Sequence, residues 1–335
     1  MSRRAGAVMV VAFLLLGATG CLTQSAESVL PPGAIRVDSV PWGKRINPLA
    51  LSDDGFTAVY SVQGPTDDAG WYLVRDVRTS TTTPLGNTGS PAFGRPAGSA
   101  AGSADVSADG RYVAFESRDP SLRPGTTGLN CLLRSPGLSQ VHCTEIYVRD
   151  MSTGVTVPVT GAASPSIQQE NRSPQLSADG RYVTYTVVTT DTFGYTVTEG
   201  IGRWDRDTGI TEIVQESPLP EVSKWSSDGR YRFDWHDSWD LTATDLTTGV
   251  TEVLNNHDTT HLTDVTFDGS AALVLCSEQS PQAWCLVDRV THARREVPGL
   301  PTDGAAINRD ATKVLSMRAP GGFVGDTGLL VIWPI

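Results

Sequence analysis

Six times along this chain one short text recurs, and that recurrence restricts the fold more than any other feature. It reads L-S-D-D-G-F-T-A-V-Y-S from Leu51, V-S-A-D-G-R-Y-V-A-F-E-S from Val106 and L-S-A-D-G-R-Y-V-T-Y-T from Leu176. It returns as W-S-S-D-G-R-Y-R-F-D-W from Trp225, T-F-D-G-S-A-A-L-V-L-C from Thr266 and I-N-R-D-A-T-K-V-L-S-M from Ile307. The aligned acids are Asp54, Asp109, Asp179, Asp228, Asp268 and Asp310, with spacings of 55, 70, 49, 40 and 42 residues. Ser-x-Asp-Gly is turn chemistry: the carboxylate accepts from backbone amides ahead of it, and Gly tolerates positive φ. The β-branched and aromatic run after each turn has strand length.

A further strand follows in most units and ends in Asp, as at Asp76, Asp150, Asp205, Asp245 and Asp288. A second turn, often Thr-Gly, leads into a closing strand such as 155–159, 210–214 or 250–254. With a short strand before each Asp-Gly turn, every unit holds four strands. Four strands in a repeat of about 40 residues indicate a propeller blade. The sixth unit ends at 329–335, one strand short, while 34–40 (A-I-R-V-D-S-V) precedes the first unit with no partner there. An N-terminal strand that completes the last blade removes the open edge. The expectation is therefore all-β: a six-bladed β-propeller over 34–335, closed by its N-terminal strand.

Residues 1–20 read as a secretory signal. Arg3 and Arg4 precede an apolar run from Ala7 to Leu16, and Ala18-Thr19-Gly20 offers a small-residue cleavage site. Cys21 follows, and A-T-G-C resembles the lipobox of bacterial lipoproteins, in which the Cys thiol is acylated and becomes the new N-terminus. That resemblance implies a cell-envelope, extracytoplasmic protein lipid-anchored through Cys21, with 21–33 as the tether. No other apolar stretch approaches a membrane span. Without 1–20 the chain carries 24 Lys and Arg against 37 Asp and Glu. Such acidity speaks against a nucleic-acid partner. Four cysteines remain for disulfides: Cys131, Cys143, Cys276 and Cys285. Proximity favours pairing 131 with 143 and 276 with 285, among three pairings that four cysteines allow.

S-A-D-G-R-Y-V-A-F-E-S, followed by Leu122-Arg123-Pro124-Gly125 and then I-Y-V-R-D-M-S-T-G-V-T, resembles the WD40-like repeat of TolB-type propellers. The resemblance covers about 47–335 and is strongest in units two to four. It implies a six-bladed propeller in the cell envelope whose blades serve binding. The chain departs from TolB in having only about 25 residues, not an α/β domain, between Cys21 and the first unit. TolB's partners are therefore not carried over, since fold does not fix function.

In such a ring the Asp-Gly turns share one face. The loops at 91–103, 119–144, 160–173, 189–199 and 255–262 crowd the other, where binding is expected. Candidate contact residues there are Arg123, Asn130, Arg134, Asn171, Arg172, His257 and His261. His257 and His261, with Asp258 and Asp264, form the one His cluster, but His-x3-His aligns two rings only on a helix, and none is signalled. No metal or cofactor is expected. The repeated Asp residues recur too often for an active site and read as turn formers. There is no Gly-x-Ser-x-Gly elbow and no phosphate loop, so no catalytic residue is assigned. The tryptophans mostly fall in strands and are expected to pack between blades. The functional expectation is a binding scaffold for a protein or envelope polymer. The alternative is an extracytoplasmic hydrolase or lyase acting on sugars or peptides at the propeller channel, marked by inward-pointing acids, His or Arg.

Overall fold

A computed structural model describes residues 33–40, 45–63, 69–86, 93–94, 103–122, 130–131, 141–159, 168–190, 196–216, 222–226, 228–235, 240–255, 259–276, 283–297, 305–308, 311–318 and 328–334. Blade 1 contains strands Arg45–Leu51, Thr57–Gln63, Ala69–Asp76 and Thr81–Pro84, and blade 2 Ala104–Val106, Tyr112–Ser117, Glu145–Asp150 and Thr156–Pro158. Blade 3 holds Gln168–Leu176, Tyr182–Thr190, Thr196–Asp205 and Thr211–Glu216, and blade 4 Val222–Trp225, Tyr231–Trp235, Leu241–Asp245 and Val250–Asn255. Blade 5 holds Thr259–Val265, Ala271–Cys276, Ala283–Asp288 and Arg294–Val297. Blade 6 takes Ala305–Ile307, Lys313–Arg318 and Gly328–Pro334 from the end of the chain and Ile35–Val40 from its start. This is a six-bladed β-propeller, and the closing strand pairs as expected, with Ile35 opposite Ile332 and Val40 opposite Gly328.

The turns repeat atom for atom. In blade 1 the Phe56 amide donates to Asp54 Oδ1 (2.9 Å), Ser52 Oγ donates to the same oxygen (2.7 Å), and the Thr57 amide donates to Ser52 Oγ (2.9 Å). Blades 2, 3 and 4 reproduce the set around Asp109, Asp179 and Asp228, and blade 5 uses Thr266 in place of Ser. In blade 6 Asp310 lies outside the described residues, and Asn308 Oδ1 accepts the Lys313 amide (2.7 Å) in the Ser role. An Arg two residues past the turn Asp ties this turn to the end of the blade's third strand. Arg111 reaches Asp150, Arg181 reaches Asp205 and Arg230 reaches Asp245. Both kinds of turn therefore share one face, the turn face, and the strand ends that lead into the longer connections lie on the other, the loop face.

In blades 1, 2 and 5 the second strand is covered on both sides along most of its length, which explains its largely apolar text, whereas in blade 3 burial alternates through Val183, Tyr185 and Val187. Ala58, Val59, Tyr60 and Val62 are all buried in blade 1. Hydrophobic clusters join blades 6 and 1 (Tyr60, Leu315, Ile332), 1 and 2 (Tyr72, Val74, Phe115), 2 and 3 (Val148, Val183, Trp204), and 4 and 5 (Phe233, Val274, Val287). Gly180 shows why the turn demands glycine: its φ is +65°, and a Cβ would sit 2.5 Å from the Tyr112 ring of blade 2. Trp204 and Trp284 are buried, whereas Trp71 is exposed.

Several expected loops are shorter than the sequence suggests. Residues 168–173 belong to the innermost strand of blade 3, and 259–262 to that of blade 5. Asn171, Arg172 and His261 therefore stand on strands. Their text is polar because His261 lines the axial cavity while Glu170 and Asn171 are hydrogen-bonded at the rim, so it lacks the alternation that marks a half-buried strand. Between 119 and 144, Pro120–Leu122 forms a 3-10 turn and Asn130–Cys131 pairs with Val141–His142. Cys276 and Cys285 form the expected disulfide across the second and third strands of blade 5. Cys143 is disulfide-bonded too, and its neighbour Val141 lies opposite Cys131 in the pairing. The side chain of Cys131 lies outside the described residues, as does all of Cys21.

Candidate functional site

The innermost strands of all six blades enclose an axial cavity of about 370 Å³. Two residues before each turn Ser, Thr or Asn, one side chain per blade occupies the same position: Ala50, Asp105, Gln175, Lys224, Asp264 and Ala306. Three of these join one blade to the next. Leu176 N–H donates to Asp105 Oδ2 (2.7 Å), Trp225 N–H to Gln175 Oε1 (2.8 Å) and Ile307 N–H to Asp264 Oδ2 (2.8 Å). The second oxygen of each carboxylate accepts the following amide of its own strand, from Val106 (2.8 Å) and Val265 (2.9 Å). Both axial carboxylates thus have each oxygen committed to the backbone.

Burial pushes the Asp105 carboxyl up to about 7, with the like charge of Asp264 adding and the amides and Lys224 opposing. Asp264 moves in the same direction for the same first reason, opposed by Lys224. His261 stands in the cavity wall and meets Trp235 edge-on at 6.2 Å. Loss of hydration and the nearby Lys224 ammonium hold its pKa below the usual imidazole value. Among the described residues, no three His, Cys, Asp or Glu side chains gather in a way that could hold a metal ion.

A second polar cluster lies on the loop-rich rim, where blade 2 meets blade 3. Arg118 Nη2 pairs with Glu170 Oε1 (2.8 Å) and its Nε donates to Thr144 Oγ1 (2.9 Å). Arg172 pairs with the other oxygen of Glu170. The Ser173 amide donates to Glu116 Oε2 (3.0 Å). Arg118 and Glu170 are buried, with side chains 11% and 9% exposed, whereas half of the Arg172 side chain faces solvent. Burial lowers the pKa of Arg118 and raises that of Glu116. An ion pair this sheltered holds its geometry, and it presents the Arg172 guanidinium from a strand and not from a loop.

Of the residues named from the sequence, Asn171 and Arg172 come together at this rim, and Asn171 is buried, its Oδ1 accepting from Gln169 (2.9 Å). His261 belongs to the axial cavity. Asn130 lies on a short strand whose side chains are not described, and Arg123, Arg134 and His257 lie outside the described residues. Sequence reasoning missed Asp105, Gln175 and Lys224, as well as Arg118, Glu116 and Glu170, and it named Asp264 only beside the His cluster, without its axial place. The axial set carries a signal: a polar residue in register two places before the turn, in D-V-S, Q-L-S, K-W-S and D-V-T.

No family model matches the sequence, and no curated protein matches it either. Solved structures do. TolB from Acinetobacter baumannii superposes with a TM-score of 0.52 at 14% identity, over 88% of this chain and 64% of TolB. The fold is that of TolB-like β-propellers. This chain thus spans less than two thirds of TolB's length. An oligogalacturonate lyase from Vibrio parahaemolyticus gives a TM-score of 0.50 at 10% identity, over 89% of this chain and 97% of that one. An acylaminoacyl peptidase from Pyrococcus horikoshii gives 0.50 at 12% identity, over 90% of this chain and 46% of that one. The TolB-like ring is thus shared by proteins of different activity, and the likeness fixes architecture alone.

Proposed function

We propose that this protein is a lipid-anchored scaffold of the cell envelope that binds a protein or envelope polymer through its loop-rich face. One observation carries the reading: the chain enters the ring on the face opposite the sheltered ion-pair cluster. Gly33 lies beside Pro334, and Pro334 pairs with Lys313 just past the turn of blade 6. The rim of Arg118, Glu170 and Arg172 thus lies on the face away from the point where Gly33 enters the ring. A rigid charged platform among long loops suits recognition, because little ordering cost remains on binding.

The test is cross-linking in intact membranes with two variants. Cys21→Ser is expected to release the protein from the membrane. Arg172→Glu is expected to remain anchored and to lose the partner that the wild type captures. A Cys21→Ser variant retained in the membrane, or capture indifferent to Arg172→Glu, refutes the proposal.

A second reading has its own observation: Asp105, Asp264, Lys224 and His261 share one cavity, and a lyase and a peptidase have comparable rings. It predicts turnover of an oligosaccharide or peptide that Asp105→Asn abolishes. The commitment of both carboxylates to backbone amides favours the scaffold.

A further inference from the structure

Two blade junctions on the turn face are fastened by the same cationic clasp. Arg206 follows Asp205 in blade 3, donates through Nη1 to the Gly180 carbonyl of its own blade (2.8 Å) and lies 3.9 Å over the Tyr112 ring of blade 2. Arg289 follows Asp288 in blade 5, donates through Nε to the Gly269 carbonyl (2.8 Å) and lies 4.0 Å over the Tyr231 ring of blade 4. The equivalent residue of blade 4 is Leu246, which follows Asp245. Its amide donates to the Arg230 carbonyl just as that of Arg206 donates to the Arg181 carbonyl, so the backbone position is the same. Leu246 has no group that could clasp, and it is exposed.

The junction of blades 3 and 4 differs accordingly. A Cβ on Gly180 or Gly269 would strike the preceding blade's tyrosine, whereas one on Gly229 meets nothing within 4 Å. The space there is a cavity of about 140 Å³ whose walls include Tyr182, Arg203, Thr184, Ser226, Asp228 and Gly229. Asp228 Oδ1 accepts from Ser226 and Arg230, and no described residue donates to its Oδ2. Arg181 lies 4.9 Å over the Tyr182 ring, as Arg111 and Arg230 lie over Tyr112 and Tyr231 at the clasped junctions, and Arg203 lies 5.3 Å over it from within blade 3; Asp205 balances Arg181, and Glu212, holding the Arg203 Nε at 2.9 Å, balances Arg203.

We propose that this slot binds the guanidinium of an arginine side chain presented by a partner polypeptide, in the place that Arg206 and Arg289 fill from within the chain. The aromatic face, the Gly229 carbonyl and the Asp228 carboxylate supply the three contacts a guanidinium takes. The acidic balance of the chain favours a basic guest.

The experiment titrates 15N-labelled protein with acetyl-Gly-Arg-Gly-amide and, separately, with acetyl-Gly-norleucine-Gly-amide. The arginine peptide is expected to move the Gly229 and Ser226 amide resonances saturably, and the norleucine peptide to leave them in place. Leu246→Arg is expected to fill the slot from within, abolishing those shifts and raising Tm by several degrees. Leu246→Lys serves the same purpose should the arginine variant fail to fold. Equal shifts with norleucine, no saturable shift, or arginine-peptide shifts that survive a folded Leu246→Arg or Leu246→Lys variant overturn the proposal.

Discussion

Replacing Asp105 with Asn isolates the energetic cost of the axial carboxylates. Asp105 titrates near 7 in the ring, against about 3.9 in an unfolded chain. Its folded pKa is raised, so its contribution to stability is fully present below about pH 4 and is lost as pH climbs through about 7. Between pH 5 and pH 8 that loss amounts to on the order of 2–3 kcal/mol. Asn carries no charge and removes the pH dependence, but it has one acceptor oxygen where Asp105 has two, one for the Leu176 amide and one for the Val106 amide. One buried amide then lacks an acceptor, at about 1–3 kcal/mol whatever the pH. Wild type is therefore expected to exceed Asp105→Asn clearly at pH 5, and the gap is expected to close or reverse by pH 8. Urea unfolding at half-unit pH steps, with the difference in midpoints converted through a shared slope, measures it. A wild-type-minus-variant difference that stays flat from pH 5 to pH 8 refutes the reasoning.

Three other outcomes follow from the same contacts. Glu170→Gln removes the carboxylate that pairs with both Arg118 and Arg172 at this rim, and thermal unfolding is expected to show a loss of about 3 kcal/mol. Gly180→Ala forces a methyl into the Tyr112 ring at positive φ and should cost about 2 kcal/mol more than Gly229→Ala, which meets only the backbone penalty; equal denaturant midpoints for the two would contradict the junction geometry. A chain starting at residue 41 lacks the closing strand, leaves Gly328–Pro334 as a bare edge and is expected to elute from a sizing column as oligomers.

The blades were legible because each Asp-Gly turn repeats a local hydrogen-bond scheme that needs nothing beyond five or six residues, and because the strands after it are rich in β-branched and aromatic residues. The closure was legible from two unpaired ends. The short strand before the blade 3 turn was legible, but its extension back over 168–172 was not, since Gln168 to Arg172 are polar and carry no period of two. The axial roles of Asp105 and Asp264 escaped notice for a related reason, although Asp264 was named beside the His cluster. Each acts on an amide about 40 to 70 residues away in the next blade, and no local pattern announces a partner at that distance. Arg172 was named from the sequence, but not the Glu170 that holds it, because a buried acid beside a surface cation looks like ordinary loop text.

The pairing of Ile35–Val40 with Gly328–Pro334 also sets a timetable. A ribosome delivers the first of these segments almost three hundred residues before the second. Until the last strand emerges, blade 6 has no third layer on which the early segment can zip, and the circle stays open whatever the state of the other five blades. Bringing the two segments together then costs chain entropy that grows only slowly with their separation, so the delay is one of order and not of thermodynamic expense. Chaperones or the cell's proteases would meet a chain whose earliest strand is the last to find its neighbour.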